Sequence, residues 1–141
     1  MDTRSDNRNG GGVAGAVTAF RNAPAMLPSQ VAPEGAASHE RVSVVVPCRN
    51  EAARIATLLD AIRSQEMPVL EVVVVDTGST DGTVDSVRRY QRHHSDLSLK
   101  CLSHPGSNVA DAMNKGIEAA RGEIIVRLDG HSRPNPDYVR R

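Results

Sequence analysis

The sequence predicts an α/β protein, a mostly parallel sheet with helices packed on its faces. Three observations carry that expectation. The runs Val42–Val46 and Val72–Val75 are β-branched without polar alternation, as in strands buried on both faces. Each run is followed by turn-forming or polar residues and then by apolar residues at helical spacing. The cycle of strand, loop and helix repeats as far as Leu128, and 141 residues is the length of one domain.

Taken in order, residues 1–40 are rich in Gly, Ala, Pro, Ser and Asn and sustain no hydrophobic period, which predicts a disordered leader. The folded domain is then 41–141. Its first strand, Val42–Val46, reads as stopped by Pro47. Ala52, Ile55, Leu58, Leu59 and Ile62 recur at helical spacing, with Asn50 placed as the N-cap and Glu51 in the first turn. The second strand, Val72–Val75, runs into the turn formers Asp76 to Thr83, and a helix follows through Val84 and Val87. Leu97–Leu102 alternates as a weaker third strand. Ala110, Met113, Ile117 and Ala120 make a third helix closed by Gly122, and Glu123–Leu128 is the fourth strand. Pro134–Arg141 has the makings of a further helix, with Pro136 in its first turn.

Composition removes several classes of function. Seventeen basic residues balance seventeen acidic ones, and Phe20, Tyr90 and Tyr138 are the only aromatics, so a nucleic-acid binder's charge footprint and stacking platform are both missing. Cys48 and Cys101 are too few for a disulfide framework or a zinc knuckle and read as small apolar side chains near strand ends. The apolar stretch Val13–Phe20 is far shorter than a membrane span, and the residues before it lack the basic region of a signal peptide. The default location is cytoplasmic, the inner face of the membrane included. A dinucleotide dehydrogenase needs a glycine-rich first turn, yet no glycine occurs between Arg41 and Thr77. A receiver-type regulatory domain wants an acidic cluster after the first strand, where this chain has Pro47-Cys48-Arg49-Asn50-Glu51.

In sheets of this kind, ligands bind at the carboxyl ends of the strands. The chemistry is therefore expected in Pro47–Glu51, Asp76–Gly82 and Asp129–His131. Asp76 can accept hydrogen bonds from a ribose hydroxyl or a base N–H, and it can equally cap its own turn. Asp129 and His131, two residues apart, can ligate one divalent ion that bridges a diphosphate, Mn²⁺ accepting such a mixed oxygen and nitrogen set more readily than Mg²⁺. They can also be two solvated loop side chains. Gly130 between them would allow close backbone approach to a phosphate.

Taken together, VSVVVPCRNE at 42–51, VVVVDTGSTDGT at 72–83 and NKGIEAARGEIIVRLDGH at 114–131 resemble the family 2 glycosyltransferases of the GT-A fold, in order and in spacing. The resemblance spans about 90 residues. It implies the nucleotide-binding half of that fold, with Pro47 and Glu51 lining the nucleoside pocket and Asp76 contacting base or ribose. Asp129 and His131 then stand for the family's D-x-D metal motif, with Mn²⁺ or Mg²⁺ as cofactor. Two positions depart from the pattern: Thr77 stands where many members carry a second Asp, and His131 replaces the second acid. The D-x-H form is that of the polypeptide N-acetylgalactosaminyltransferases, and D-x-H after a Val-Arg strand resembles the ExoA-like, succinoglycan-type enzymes.

The activity so implied is transfer of a sugar from a nucleotide-diphosphate sugar to a glycan or lipid-linked acceptor, in polysaccharide biosynthesis. Members usually continue well beyond such a segment, supplying the acceptor site and the carboxylate that deprotonates the acceptor hydroxyl. The chain is therefore expected to be truncated on its C-terminal side. No catalytic base is assigned, and the alternative is a non-catalytic nucleotide-sugar-binding fragment, inactive in transfer by itself.

Overall fold

The computed structural model of the chain describes residues 19–21, 41–106 and 108–140. Its elements are β1 (Ala19–Arg21), β2 (Val42–Cys48), α1 (Ile55–Arg63), β3 (Glu71–Asp76), α2 (Thr83–His93), β4 (Leu99–Ser103), α3 (Val109–Ala119) and β5 (Ile124–Arg127). The sheet runs in the order β1-β5-β2-β3-β4. The four strands from β2 onward are mutually parallel, as their two-faced apolar composition requires.

Side-chain alternation along the strands divides the core. Val42, Val44, Val46, Val72 and Val74 face α1 and α2, meeting Ile55, Leu58, Leu59, Ile62, Val87 and Tyr90. Val45, Val73 and Val75 face the other way, with Ile125, against Ala112 and Met113 of α3. Gly116 lets α3 lie close to the sheet, since a Cβ there would stand 2.3 Å from Val45 Cγ1. The sheet is thus covered on both faces, and because β5 lies on the opposite side of β2 from β3, the strand order reverses between β2 and β5. A crevice opens at the carboxyl ends of strands flanking such a reversal.

Several expectations are corrected in detail. Ala19–Arg21, placed in the disordered leader, forms β1, antiparallel to β5 with Ala19 opposite Val126 and Arg21 opposite Ile124. Three residues held by backbone pairing on a sheet edge are too short to carry a readable period. The rest of the leader lies outside the described residues. β2 does not stop at Pro47 but continues to Cys48, opposite Asp76. The odd-numbered residues of β2 address β5, Val45 O accepting from Leu128 N–H at 3.1 Å. Pairing with β5 ends at Val45, so the N–H that Pro47 lacks would have faced a side with no ladder left to join.

At the C-terminal end no helix forms among the described residues after Pro134. Gln65 of the segment after α1 holds this stretch instead: its Nε2 donates to Asn135 O at 2.7 Å and its Oε1 accepts from Val139 N–H at 2.9 Å. Glu66 N–H also donates to Pro136 O at 2.8 Å. Asn135 O and Pro136 O are thereby turned to the segment after α1, where Gln65 and Glu66 take them up.

Candidate functional site

The loops after β2 and β3 are tied to each other by a ladder of short polar side chains. Asn50 N–H donates to Ser79 Oγ at 2.8 Å, and Asn50 Oδ1 accepts in return from Thr80 N–H at 2.9 Å. Glu51 N–H donates to Thr83 Oγ1 at 2.9 Å, and Ala52 N–H to Asp81 Oδ2 at 3.0 Å. Asn50 is therefore not the cap of α1, and it takes a left-handed backbone (φ 54°) that asparagine tolerates better than most residues. Glu51 supplies the helix entry, its carbonyl accepting from both Arg54 N–H at 2.9 Å and Ile55 N–H at 2.8 Å. The hydroxyl of Thr83 and the amides it shares hold the Asp81 carboxyl below the usual carboxylate range.

Asp76, at the end of β3, is buried and caps its own turn. Oδ2 accepts from Gly78 N–H and Ser79 N–H, both at 3.1 Å, and Oδ1 accepts from the Ser79 hydroxyl. A carboxylate offers about four acceptor positions, so about one remains for anything bound above the loop. Thr77, at the position of the family's second acid, instead donates both its N–H (3.0 Å) and its hydroxyl (3.2 Å) to Cys48 O. Pro47 is buried within β2. Cys48 beside it is buried too, and desolvation with the nearby Asp76 charge pushes its thiol up to about 12, which keeps it a packing residue.

Across the reversal, β5 delivers Asp129, Gly130 and His131. Arg127 sends both its Nε (3.1 Å) and its Nη2 (2.9 Å) to the same oxygen, Asp129 Oδ1. Ser132 closes the turn, its N–H donating to Asp129 O at 2.9 Å and its hydroxyl accepting from Asp129 N–H at 3.1 Å. Gly130 is buried against Glu51, where a Cβ would lie 2.7 Å from Glu51 Cγ. The space that this glycine leaves is filled by a side chain. His131 Nδ1 then stands 3.4 Å from Glu51 Oε1. Glu51 Oε2 is buried without a hydrogen-bond donor, the Arg54 guanidinium approaching no nearer than 3.6 Å.

The structure thus joins Glu51 to His131 and Arg127 to Asp129, while Asp76 stands with the other loop pair. Among the described residues no three His, Cys, Asp or Glu side chains gather as a ready cation site. The sequence placed Ser79 and Asp81 in the Asp76–Gly82 strand-end group but not their partners in the β2 loop, and it singled out neither Thr83 nor the Arg127–Asp129 pair, because these contacts join loops 29 or more residues apart or form an i,i+2 pair that spacing does not single out. A shallow groove of about 390 Å³ lined by His104, Asp111, Asn114, Lys115 and Glu118 lies beyond β4. His104 links it to the crevice, its N–H donating to Asp76 O at 2.8 Å.

A parallel sheet covered on both faces, with its strand order reversed at β2 and acidic and imidazole side chains at the strand ends, is the architecture of α/β proteins of the GT-A type. Residues 43–141 match the profile described as Glycosyl transferase family 2, and the chain belongs to that family. It is 37% identical over 102 residues to the glycosyltransferase AglE of Haloferax volcanii, covering 71% of this chain and 33% of AglE. It is 33% identical over 101 residues to the succinoglycan biosynthesis protein ExoA of Rhizobium meliloti, covering 70% of this chain and 30% of ExoA. The mannosyltransferase PcManGT of Pyrobaculum calidifontis, solved with GDP-mannose and Mn²⁺, superposes with a TM-score of 0.62 at 45% identity, over 64% of this chain and 27% of that one. The chain spans about a third of the length of these relatives.

Proposed function

We propose that the chain is the donor-binding part of a glycosyltransferase that moves a sugar from a nucleoside-diphosphate sugar to a glycan or lipid-linked acceptor in polysaccharide biosynthesis. The observation that carries the reading is the Asp129-Gly130-His131 turn at the end of β5, beside the reversal of strand order and against Glu51 of the β2 loop. Asp129 and His131 would hold the divalent ion. The donor set fits: both guanidinium contacts to Asp129 fall on Oδ1, so Oδ2 takes no part in that pair. Two protein ligands are enough where diphosphate oxygens and water complete the shell, as is usual for metals bound with nucleotides. A mixed oxygen and imidazole set favours Mn²⁺ over Mg²⁺. When bound, the metal supplies neutralisation of the charge that grows on the departing diphosphate.

The nucleoside would lie over the ends of β2 and β3, with Pro47 beneath and the remaining acceptor position of Asp76 directed to ribose or base. Similarity to ExoA supports a succinoglycan-type subgroup, as the Arg127-Leu128-Asp129-Gly130-His131 run does. Residues 41–141 are the donor domain in this reading, and no residue among them is assigned as the acceptor's base. Among the described residues no helix is long and apolar enough to cross a membrane.

The test is calorimetric titration with GDP and with UDP, each in Mn²⁺, in Mg²⁺ and in chelator. Metal should tighten binding of one nucleotide by at least about tenfold, and Asp129→Ala should remove most of that gain. Equal affinity in metal and in chelator would leave the turn with no role in donor binding.

A further inference from the structure

We propose that Glu51 is the positioning residue for His131, holding the imidazole in the Nδ1–H tautomer so that its Nε2 lone pair is directed to the metal. The inference rests on the metal reading above and assigns Glu51 a different task from lining a nucleoside pocket. It starts from how firmly Glu51 is placed. Its N–H is held by Thr83 Oγ1 at 2.9 Å, and its carbonyl by the first two amides of the α1 entry, so its Cα is fixed between two loops. Its side chain then runs beneath the β5 turn, through space that exists because residue 130 has no Cβ: an added methyl would meet Glu51 Cγ at 2.7 Å and Glu51 Cβ at 3.2 Å. The side chain is only 14% exposed and ends with Oε1 at 3.4 Å from His131 Nδ1.

The chemistry of that contact is directional. An ionised carboxylate only accepts, so the imidazole nitrogen facing it must carry the hydrogen, and the other nitrogen is then the one with a free lone pair. Histidines that ligate metals characteristically pair their second nitrogen with such an acceptor, which fixes the ring and raises its basicity. The buried Oε2 receives no hydrogen bond, with the Arg54 guanidinium 3.6 Å away, so among the described residues the carboxyl's one side-chain hydrogen-bond contact is that of Oε1 with His131. Gly130 is thereby explained without reference to a phosphate: it is the gap through which Glu51 reaches the imidazole.

The experiment reads the tautomer directly, on the metal-free chain, by long-range ¹H–¹⁵N correlation of the histidine side chains at a pH high enough to strip the imidazolium proton, with His131 assigned by His131→Ala. Wild type should show His131 as Nδ1–H. Glu51→Gln, whose Oε1 can still accept, should keep that tautomer, and Glu51→Ala should revert to the Nε2–H form that free histidine prefers in water. In parallel, the affinity for Mn²⁺ with whichever of GDP and UDP wild type binds more tightly should fall roughly 10- to 100-fold in Glu51→Ala and much less in Glu51→Gln. His131 found as Nε2–H in wild type, or a tautomer indifferent to Glu51→Ala, would overturn the positioning role while leaving the metal reading intact. A His131→Ala chain that binds Mn²⁺ with that same nucleotide as tightly as wild type would overturn the metal reading, and the proposal with it.

Discussion

Gly130→Ala isolates the close approach of the β5 turn to Glu51, and its effect can be worked from the structure. Carbon atoms pack at about 3.5–4.0 Å, so a methyl 2.7 Å from Glu51 Cγ and 3.2 Å from Cys48 Cβ overlaps both. Cys48 is part of β2 and cannot yield. Glu51 Cγ can yield only by swinging the carboxylate away from His131, since the Glu51 backbone is held on both sides. Overpacking of this kind costs about 1–3 kcal/mol. Gly130 does not have a left-handed backbone, so alanine is otherwise accommodated and recovers about 0.4–1 kcal/mol from the less flexible unfolded chain. The net expectation is a loss of about 1–2 kcal/mol, seen in urea unfolding as a lower midpoint with an unchanged slope. In a Glu51→Ala background the main overlapping carbon is gone, so the penalty should shrink by about 1 kcal/mol, a coupling well outside the scatter of independent sites. A Gly130→Ala chain as stable as wild type, or a penalty of the same size in both backgrounds, would refute the steric argument.

The remaining predictions concern the framework. Glu71 is fully buried at the start of β3, where Ser43 Oγ donates at 2.9 Å, Lys100 Nζ stands at 3.1 Å and Arg121 Nε at 3.3 Å. Burial pushes its carboxyl up, but the Arg121 amide, the Ser43 hydroxyl and Lys100 together outweigh burial and hold it below the ordinary range. A depressed carboxyl contributes stability that is present above its unfolded pKa and lost as pH falls through the folded one. Wild type should therefore lose stability as pH falls below the ordinary carboxyl value of 4.5 and on through the depressed folded one, and Glu71→Gln, weaker by about 1–3 kcal/mol at neutral pH because its cationic partners are part-exposed, should show a shallower acid loss by urea midpoint. Gly116→Ala tests the seat of α3: its helix propensity gain of about 1 kcal/mol should be outweighed by the clash with Val45, giving a lower melting temperature, and Val45→Ala should relieve the clash.

The sequence by itself determined the alternating strands and helices from β2 to β5, because their information is local. Unbroken β-branched runs of the β2 and β3 kind are stable only between two apolar layers, and helical periods between them require crossovers, so the parallel sheet and its carboxyl-end crevice follow from pattern alone. Asp129, His131, Asp76 and Glu51 were legible for the same reason: a strand end identifies its neighbours as candidates. What only the tertiary structure decided is which of those candidates meet. Glu51 and His131 are 80 residues apart in the chain, and their contact depends on β5 entering beside β2 and on a missing Cβ at Gly130. Asn50 had the spacing of a helix cap, yet the β3 loop offered its side chain and amide two partners at once, and two long-range bonds outcompeted one local bond. β1 likewise exists because β5, paired with β2 on one side, presents its other, open edge to it, a property of the partner strand that three residues of sequence do not encode.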